Sequence, residues 1–364
     1  MTDNLIPPQK PRGFHLTPRQ SFLLLAGVLA TMLVGLIVYL LMFLSPAGFT
    51  RSGGDVKNGI KPLLTINGPG RGEKPDFDRP LGVAFGSGGR IYVVDTGNNR
   101  VCVFSKGGRF LFEFGGFGVA KPLPGAKETW TEGSMNFPIG IDVDSDGDVY
   151  VANFRNDQID VYDEDGKWLR RFPDPKLSVG RGASGQDGLG VACTDVAVRG
   201  DEVYVTDTYQ VIVFKRDGTF LRQFGMPGSG PTGLDHPNGI DVGSDGTVYV
   251  SDSNHNRVMA FEKNGKPMWQ LGEQVSDTTT ETTDYDFGLP RGLTVLDSGA
   301  IVVVDAFEFA LATVSSEGKL LGRYGTRGVE PGQFNFPNGI DDLGKRLAVA
   351  DKENNRVAIL EIRD

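Results

Sequence analysis

Residues 79–115 read RPLGVAFGSGGRIYVVDTGNNRVCVFSKGGRFLFEFG, and residues 137–172 read FPIGIDVDSDGDVYVANFRNDQIDVYDEDGKWLRRF, which is the same pattern written twice. In each, four apolar stretches of strand length are separated by tight-turn residues. Asp146-Gly147 here, like Asp217-Gly218 and Asp245-Gly246 further on, suits a hairpin turn that needs positive φ. The flanking Val, Ile, Tyr and Phe favour a pleated, half-buried surface. Four-stranded antiparallel units recurring at roughly 40–50 residues are predicted to stand as blades around a central axis.

The pattern returns from Cys193, His236, Leu289 and Phe336, giving six units. The last one stops at Leu360-Glu361-Ile362 and lacks its fourth strand, while KPLLTING at 61–68 resembles the closing strand GRFLFEFG at 108–115. Residues 60–68 are therefore expected to complete the final blade and close the ring, which removes the open edges that invite aggregation. A linear β-solenoid would need no such complement. The expected fold is all-β, a six-bladed β-propeller over residues 60–364.

Taken together, P-x-G-I-x-V-D, D-G-x-V-Y-V-A-D, N-N-R-V-x-V-F and D-G-x-F-L-x-x-F-G resemble the NHL repeat family, over the chain from about residue 60 onward. Two units depart from it. The third has Thr194-Asp195 in place of P-x-G and a shortened hairpin at Asp207-Thr208-Tyr209, and the fifth has Phe307-Glu308-Phe309-Ala310 in place of N-N-R.

Ahead of the repeats, residues 22–44 read FLLLAGVLATMLVGLIVYLLMFL, without a charge or a proline. As a helix this covers the ~30 Å hydrocarbon core and reads as one transmembrane span. The alternative is a cleaved signal with Ser45-Pro46-Ala47 at its end, although the apolar run exceeds the usual length. Residues 1–21 form the tail and 45–59 the linker. Lys10, Arg12 and Arg19 bias the tail toward the cytoplasm, which puts the propeller on the extracytoplasmic side of a cell membrane. The net charge is −9, and −11 once Asp3, Lys10, Arg12 and Arg19 are set aside, so nucleic acid is a poor partner. Cys102 and Cys193 fall in strands of different blades and read as buried thiols.

Candidate functional residues come in three groups. Asp95 and Arg100, Asp252 and Arg257, and Asp351 and Arg356 repeat one offset across the second hairpin of a unit, and repetition at equivalent sites argues for structure. Residues that differ from blade to blade are the candidate binding face: Phe154, Tyr209, His255, Phe307 and Phe309 in hairpins, with Trp130 and Tyr285 in the linkers 118–136 and 273–288; residues 173–190 form a third long linker. Aromatic residues there suit a protein partner, including a membrane-bound one, or a glycan. The residue before Gly in P-x-G opens the innermost strand at the channel mouth, and around the ring it is Leu81, Ile139, Thr194, Asn238, Arg291 and Asn338.

Propeller lactonases, which this architecture resembles, hold a divalent metal at such a mouth, and a hydrolase or lactonase with a divalent cation such as calcium there, with Asn238, Asn338, Arg291, Thr194 and Asp195 as its pocket, is the alternative function. The mouth position itself offers two Asn and no acid, and Arg291 would repel a cation. The amidating lyases that also resemble this body need several His for zinc, whereas the repeats contain only His236 and His255. No catalytic residue or cofactor is assigned. The leading expectation is a binding or scaffolding module.

Overall fold

The computed structural model describes residues 59–70, 76–120, 127–172, 193–272 and 286–363. The chain divides into two compact units, Met1–Ser52 and Gly53–Asp364, and every described residue belongs to the second. The expected tail, span and most of the linker lie outside the described residues, as do residues 173–190 and Tyr285. Among the described residues no helix is long and apolar enough to cross a membrane.

Six four-stranded antiparallel sheets form six blades. Blade 1 runs Gly82–Phe85, Ile91–Asp95, Arg100–Phe104 and Phe110–Gly115, strands a to d from the axis outward. Blades 2 to 5 begin with strands a at Pro138–Val143, Asp195–Arg199, Pro237–Val242 and Pro290–Val295, and each continues through b, c and d in sequence order. Blade 6 takes Pro337–Leu343, Arg346–Asp351 and Arg356–Ile362 as its a, b and c strands and Ile60–Ile66, the segment ahead of blade 1, as its d strand. Ile60 pairs with Ile362 and Ile66 with Val357, so the first and last described strands are joined in one sheet.

Strands b and c read as unbroken Val, Ile, Tyr and Ala because neighbouring blades cover both of their faces. Val93 and Cys102 of blade 1 pack with Ala348 and Val357 of blade 6, while Tyr92 and Val94 of the same blade pack with Val149 and Val151 of blade 2. Each such side chain buried contributes about 1.5–3 kcal/mol. The turns follow their chemistry, with Gly147 at φ 91° and Gly246 at φ 87°. Neither cysteine forms a disulfide, both are fully buried, and the Cys193 thiol sits 3.2 Å from the Gln158 carbonyl.

The a strands touch their neighbours all the way round and leave a narrow channel lined by all six blades. Strand a runs down from the end of the ring that carries the b–c hairpins and the interblade linkers. The a–b and c–d turns therefore lie at the opposite end.

Candidate functional site: the hairpin end of the ring

Three of the six b–c hairpins carry the same tie. In blade 4, Asp252 Oδ2 accepts from Arg257 Nε at 2.8 Å, and Asp252 Oδ1 accepts the backbone N–H of Asp235 in the preceding linker. The Arg257 guanidinium then donates to the carbonyls of Ser229, Gly230 and Gly233. Blade 1 does the same with Asp95 and Arg100 at 2.7 Å, the Asp78 N–H and the Asp76 carbonyl. Blade 6 does it with Asp351 and Arg356 at 2.7 Å, the Asn335 N–H and the Glu330 and Gln333 carbonyls. Asp and Arg thus sew each hairpin to the linker that enters its blade. The three aspartates are fully buried, and Arg257 is 2% exposed. Burial pushes the Asp95 and Asp351 carboxyls up, against the hydrogen bonds that hold them down. His255 belongs to this tie, with Nδ1 2.8 Å from Asp252 Oδ2, and so it is drawn into the hairpin.

Blades 2, 3 and 5 lack the arginine. Gln158, Gln210 and Ala310 stand in its place, and these are the blades whose hairpins carry Phe154, Tyr209, Phe307 and Phe309. Tyr209 is 39% exposed and Phe307 55%. Each aromatic group stacks on the residue that opens a strand a: Phe154 on Phe137 at 6.2 Å, Tyr209 on His236 at 5.9 Å, and Phe307 and Phe309 on Phe336 at 5.8 and 5.0 Å. Phe137, His236 and Phe336 all precede proline and all adopt left-handed backbone, φ 55°, 51° and 49°. Arg79 before Pro80 in blade 1 does the same, φ 49°, so this backbone belongs to the entry of a strand a in tied and untied blades alike. Arg155 lies 4.7 Å over the Phe137 ring and Arg327 5.1 Å over Phe309, a stacking that guanidinium favours. Trp130 is not part of this group. It packs against Trp168 and Arg171 on the outer strand of blade 2.

The channel cavity has a volume of about 50 Å³, room for a few waters or one small group. Leu81, Ile139, Thr194, Asn238 and Asn338 line its mouth. The Thr194 hydroxyl donates to the Pro237 carbonyl at 2.5 Å and Asn238 Nδ2 to the His236 carbonyl at 2.9 Å. Asp195 lies deeper and accepts the Ile240 N–H at 3.2 Å.

Three residues below the mouth, the channel is acidic, a feature the mouth positions do not reveal. Asp142, Asp241 and Asp341, on alternate blades, each accept the N–H of their own successor and one from the next blade: Val198 at 2.6 Å, Val295 at 2.8 Å and Phe85 at 2.6 Å. They clasp blade 2 to 3, 4 to 5, and 6 to 1. Burial drives the Asp142 carboxyl up to about 7, helped by the charge of Asp241, and it raises those of Asp241, Asp341 and Asp195 as well. The signal for them was the I-D-V written in units 2 and 4 and its I-D-D counterpart in unit 6.

This arrangement does not suit a resident divalent cation. The carboxylate oxygens of the clasp are committed to backbone N–H groups, and among the described residues no three His, Cys, Asp or Glu side chains converge. Arg291, the sixth of the positions that open a strand a, is not among the residues that line the cavity.

The sequence profile of the NHL repeat matches residues 77–104, 135–162 and 234–261, which span strands a to c of blades 1, 2 and 4. The chain is 27% identical over 165 residues to Protein brain tumor of Drosophila melanogaster, 44% of this chain and 14% of that one. It is 27% identical over 177 residues to NHL repeat-containing protein 3 of Homo sapiens, 46% of this chain and 48% of that one. The chain thus spans less than half the length of these curated relatives. A Bacteroides thetaiotaomicron protein of unknown function superimposes with a TM-score of 0.61 at 16% identity, covering 84% of this chain and 76% of that one. A gluconolactonase of Xanthomonas campestris superimposes with a TM-score of 0.56 at 17% identity, covering 86% and 99%. At that identity the likeness is one of fold alone. The chain carries NHL repeats, folded as a six-bladed β-propeller.

Proposed function

We propose that the protein is an NHL-repeat propeller that captures a protein partner on its hairpin end, and that residues 22–44 hold it at a membrane with the propeller on the extracytoplasmic side. The observation that carries this reading is the coincidence at blades 2, 3 and 5: where the Asp–Arg tie is given up, an aromatic side chain takes the hairpin, and Tyr209 and Phe307 face solvent. Exposed aromatic residues on rigid elements, with stacked arginines beside them, are the side chains that dominate protein interfaces.

Photo-reactive benzoylphenylalanine placed at Phe307 in the full chain, expressed in its own membranes, tests the proposal. The control carries the same group at Asp165, in the c–d turn at the opposite end. Discrete adducts from position 307 alone are expected. Adducts from position 165 alone would place the interface on the wrong end.

A further inference from the structure

The arginines of the hairpin end fall into two kinds. Arg100, Arg257 and Arg356 pair with the aspartates of their own hairpins, while Arg79 meets Asp78 at 3.0 Å and Arg323 meets Glu308 at 3.1 Å. Arg155 and Arg327 are different. Both are exposed, and among the described residues neither guanidinium makes an ion pair or a hydrogen bond.

What holds each of them is an aromatic face. Arg155 lies over Phe137, against which Phe154 packs, and Arg327 lies over Phe309, which packs with Phe307 around Phe336. A guanidinium stacked on a ring uses its flat side and leaves its N–H donors free along the edge. Exposed apolar surface stands beside both. Val329, two residues beyond Arg327, is 66% exposed, and Phe117 is 65% exposed in the linker that Asn156, the neighbour of Arg155, holds through the Gly118 carbonyl. The chain as a whole is acidic, net −9, so these two cations do not make the end basic and act at contact range only.

From this juxtaposition we infer that the captured partner presents an acidic segment, whose Asp or Glu carboxylates pair edge to edge with Arg155 and Arg327 while neighbouring apolar side chains rest on Phe307, Val329 and Phe117. The inference rests on the reading that the hairpin end captures a protein, and it names the chemistry that end selects. The planar fork of arginine matches a carboxylate with two parallel hydrogen bonds, and such charge-assisted bonds are about twice as strong as neutral ones. Arginine beside aromatic residues is also the composition of the side chains that carry most binding energy at protein interfaces.

The test uses the full chain in its own membranes, with benzoylphenylalanine at Phe307 and the adduct mapped by mass spectrometry. The crosslinked peptide of the partner is expected to carry Asp or Glu within about five residues of the attachment point, the reach of a short extended segment. Arg155→Glu/Arg327→Glu should cut the adduct yield at least about tenfold, and Arg155→Lys/Arg327→Lys, which keeps the charge without the fork, should fall between it and the parent. Replacing the mapped acid of the partner by Lys should restore the yield with the glutamate variant. Arg79→Gln removes a charge from the same end, from a guanidinium that Asp78 already holds, and should leave the yield unchanged. All these variants should melt like the parent, since the exchanged groups are exposed. Absence of any adduct in the parent defeats the capture reading itself, and this inference with it. Adducts that persist in the glutamate variant, that fall equally in Arg79→Gln, or that map to a segment without an acid overturn the inference alone.

Discussion

The hairpins of blades 4 and 5 are neighbours built on one template, and they have diverged in opposite directions. In blade 4, Asp252 and Arg257 are almost wholly buried, and the guanidinium is engaged by Asp252, the Gln270 side chain and the linker carbonyls, so the loop presents little beyond backbone and small polar groups. In blade 5, Asp305 still accepts the Gly288 and Leu289 N–H groups, but Ala310 replaces the arginine and Phe307 projects with 55% of its surface exposed. The acid is kept in both because it satisfies linker backbone groups that would otherwise be orphaned. The arginine is dispensable. Where it is missing, the hairpin is free to carry a side chain for something outside the protein.

Breaking the blade 4 tie is expected to have the largest effect. Asp252→Ala leaves the Arg257 charge buried without its counter-ion and the Asp235 N–H without an acceptor, a loss of about 3–5 kcal/mol. Urea unfolding of the variant against the parent measures it, and a shift below about 1 kcal/mol would mean that the tie is ornamental.

The second effect belongs to the inner clasp. With the Asp142 carboxyl pushed up to about 7 by burial, and Asp241, Asp341 and Asp195 moved the same way, the folded state holds protons that the unfolded chain releases near pH 4. Stability should therefore fall as pH rises from about 4 toward 7, by on the order of a few kcal/mol. Glu202 has the opposite sign. The Arg222 guanidinium beside it holds its carboxyl down at about 2, so its contribution is complete above about pH 4 and fades as the pH falls toward 2. Urea midpoints from pH 3 to 8 should peak in the mildly acidic range, and Asp142→Asn should flatten the neutral limb. A midpoint that climbs steadily to pH 7 would contradict the clasp.

Much of this was legible in the sequence because propellers repeat their turn chemistry. Asp146-Gly147 and Asp245-Gly246 mark turns wherever they occur, and an Asp and an Arg five residues apart announce the tie. The strand 60–68 was visible because the final unit is short by one strand. The inner clasp was harder to see: in I-D-V the acid reads as the polar half of an alternating strand, and alternation alone does not tell a channel-facing residue from a solvent-facing one. Trp130 misled for a related reason. A linker aromatic can fold back on its own blade as readily as it can face outward, and here Trp168 and Arg171 receive it. The link between a missing arginine and a present aromatic emerges only when the six hairpins are superimposed.

The smallest effect on stability is the most telling for function. In Tyr209→Ala/Phe307→Ala the substituted side chains lie on the exposed side of hairpins that carry no arginine tie, so unfolding should stay within about 0.5 kcal/mol of the parent. The decisive measurement is capture of the partner crosslinked through position 307, compared between this double variant and the parent, both assayed as full chains from membranes. If exposed hairpin aromatics are the binding face, the variant melts like the parent and no longer retains the partner. Retention at the parental level by an equally stable variant would contradict the account.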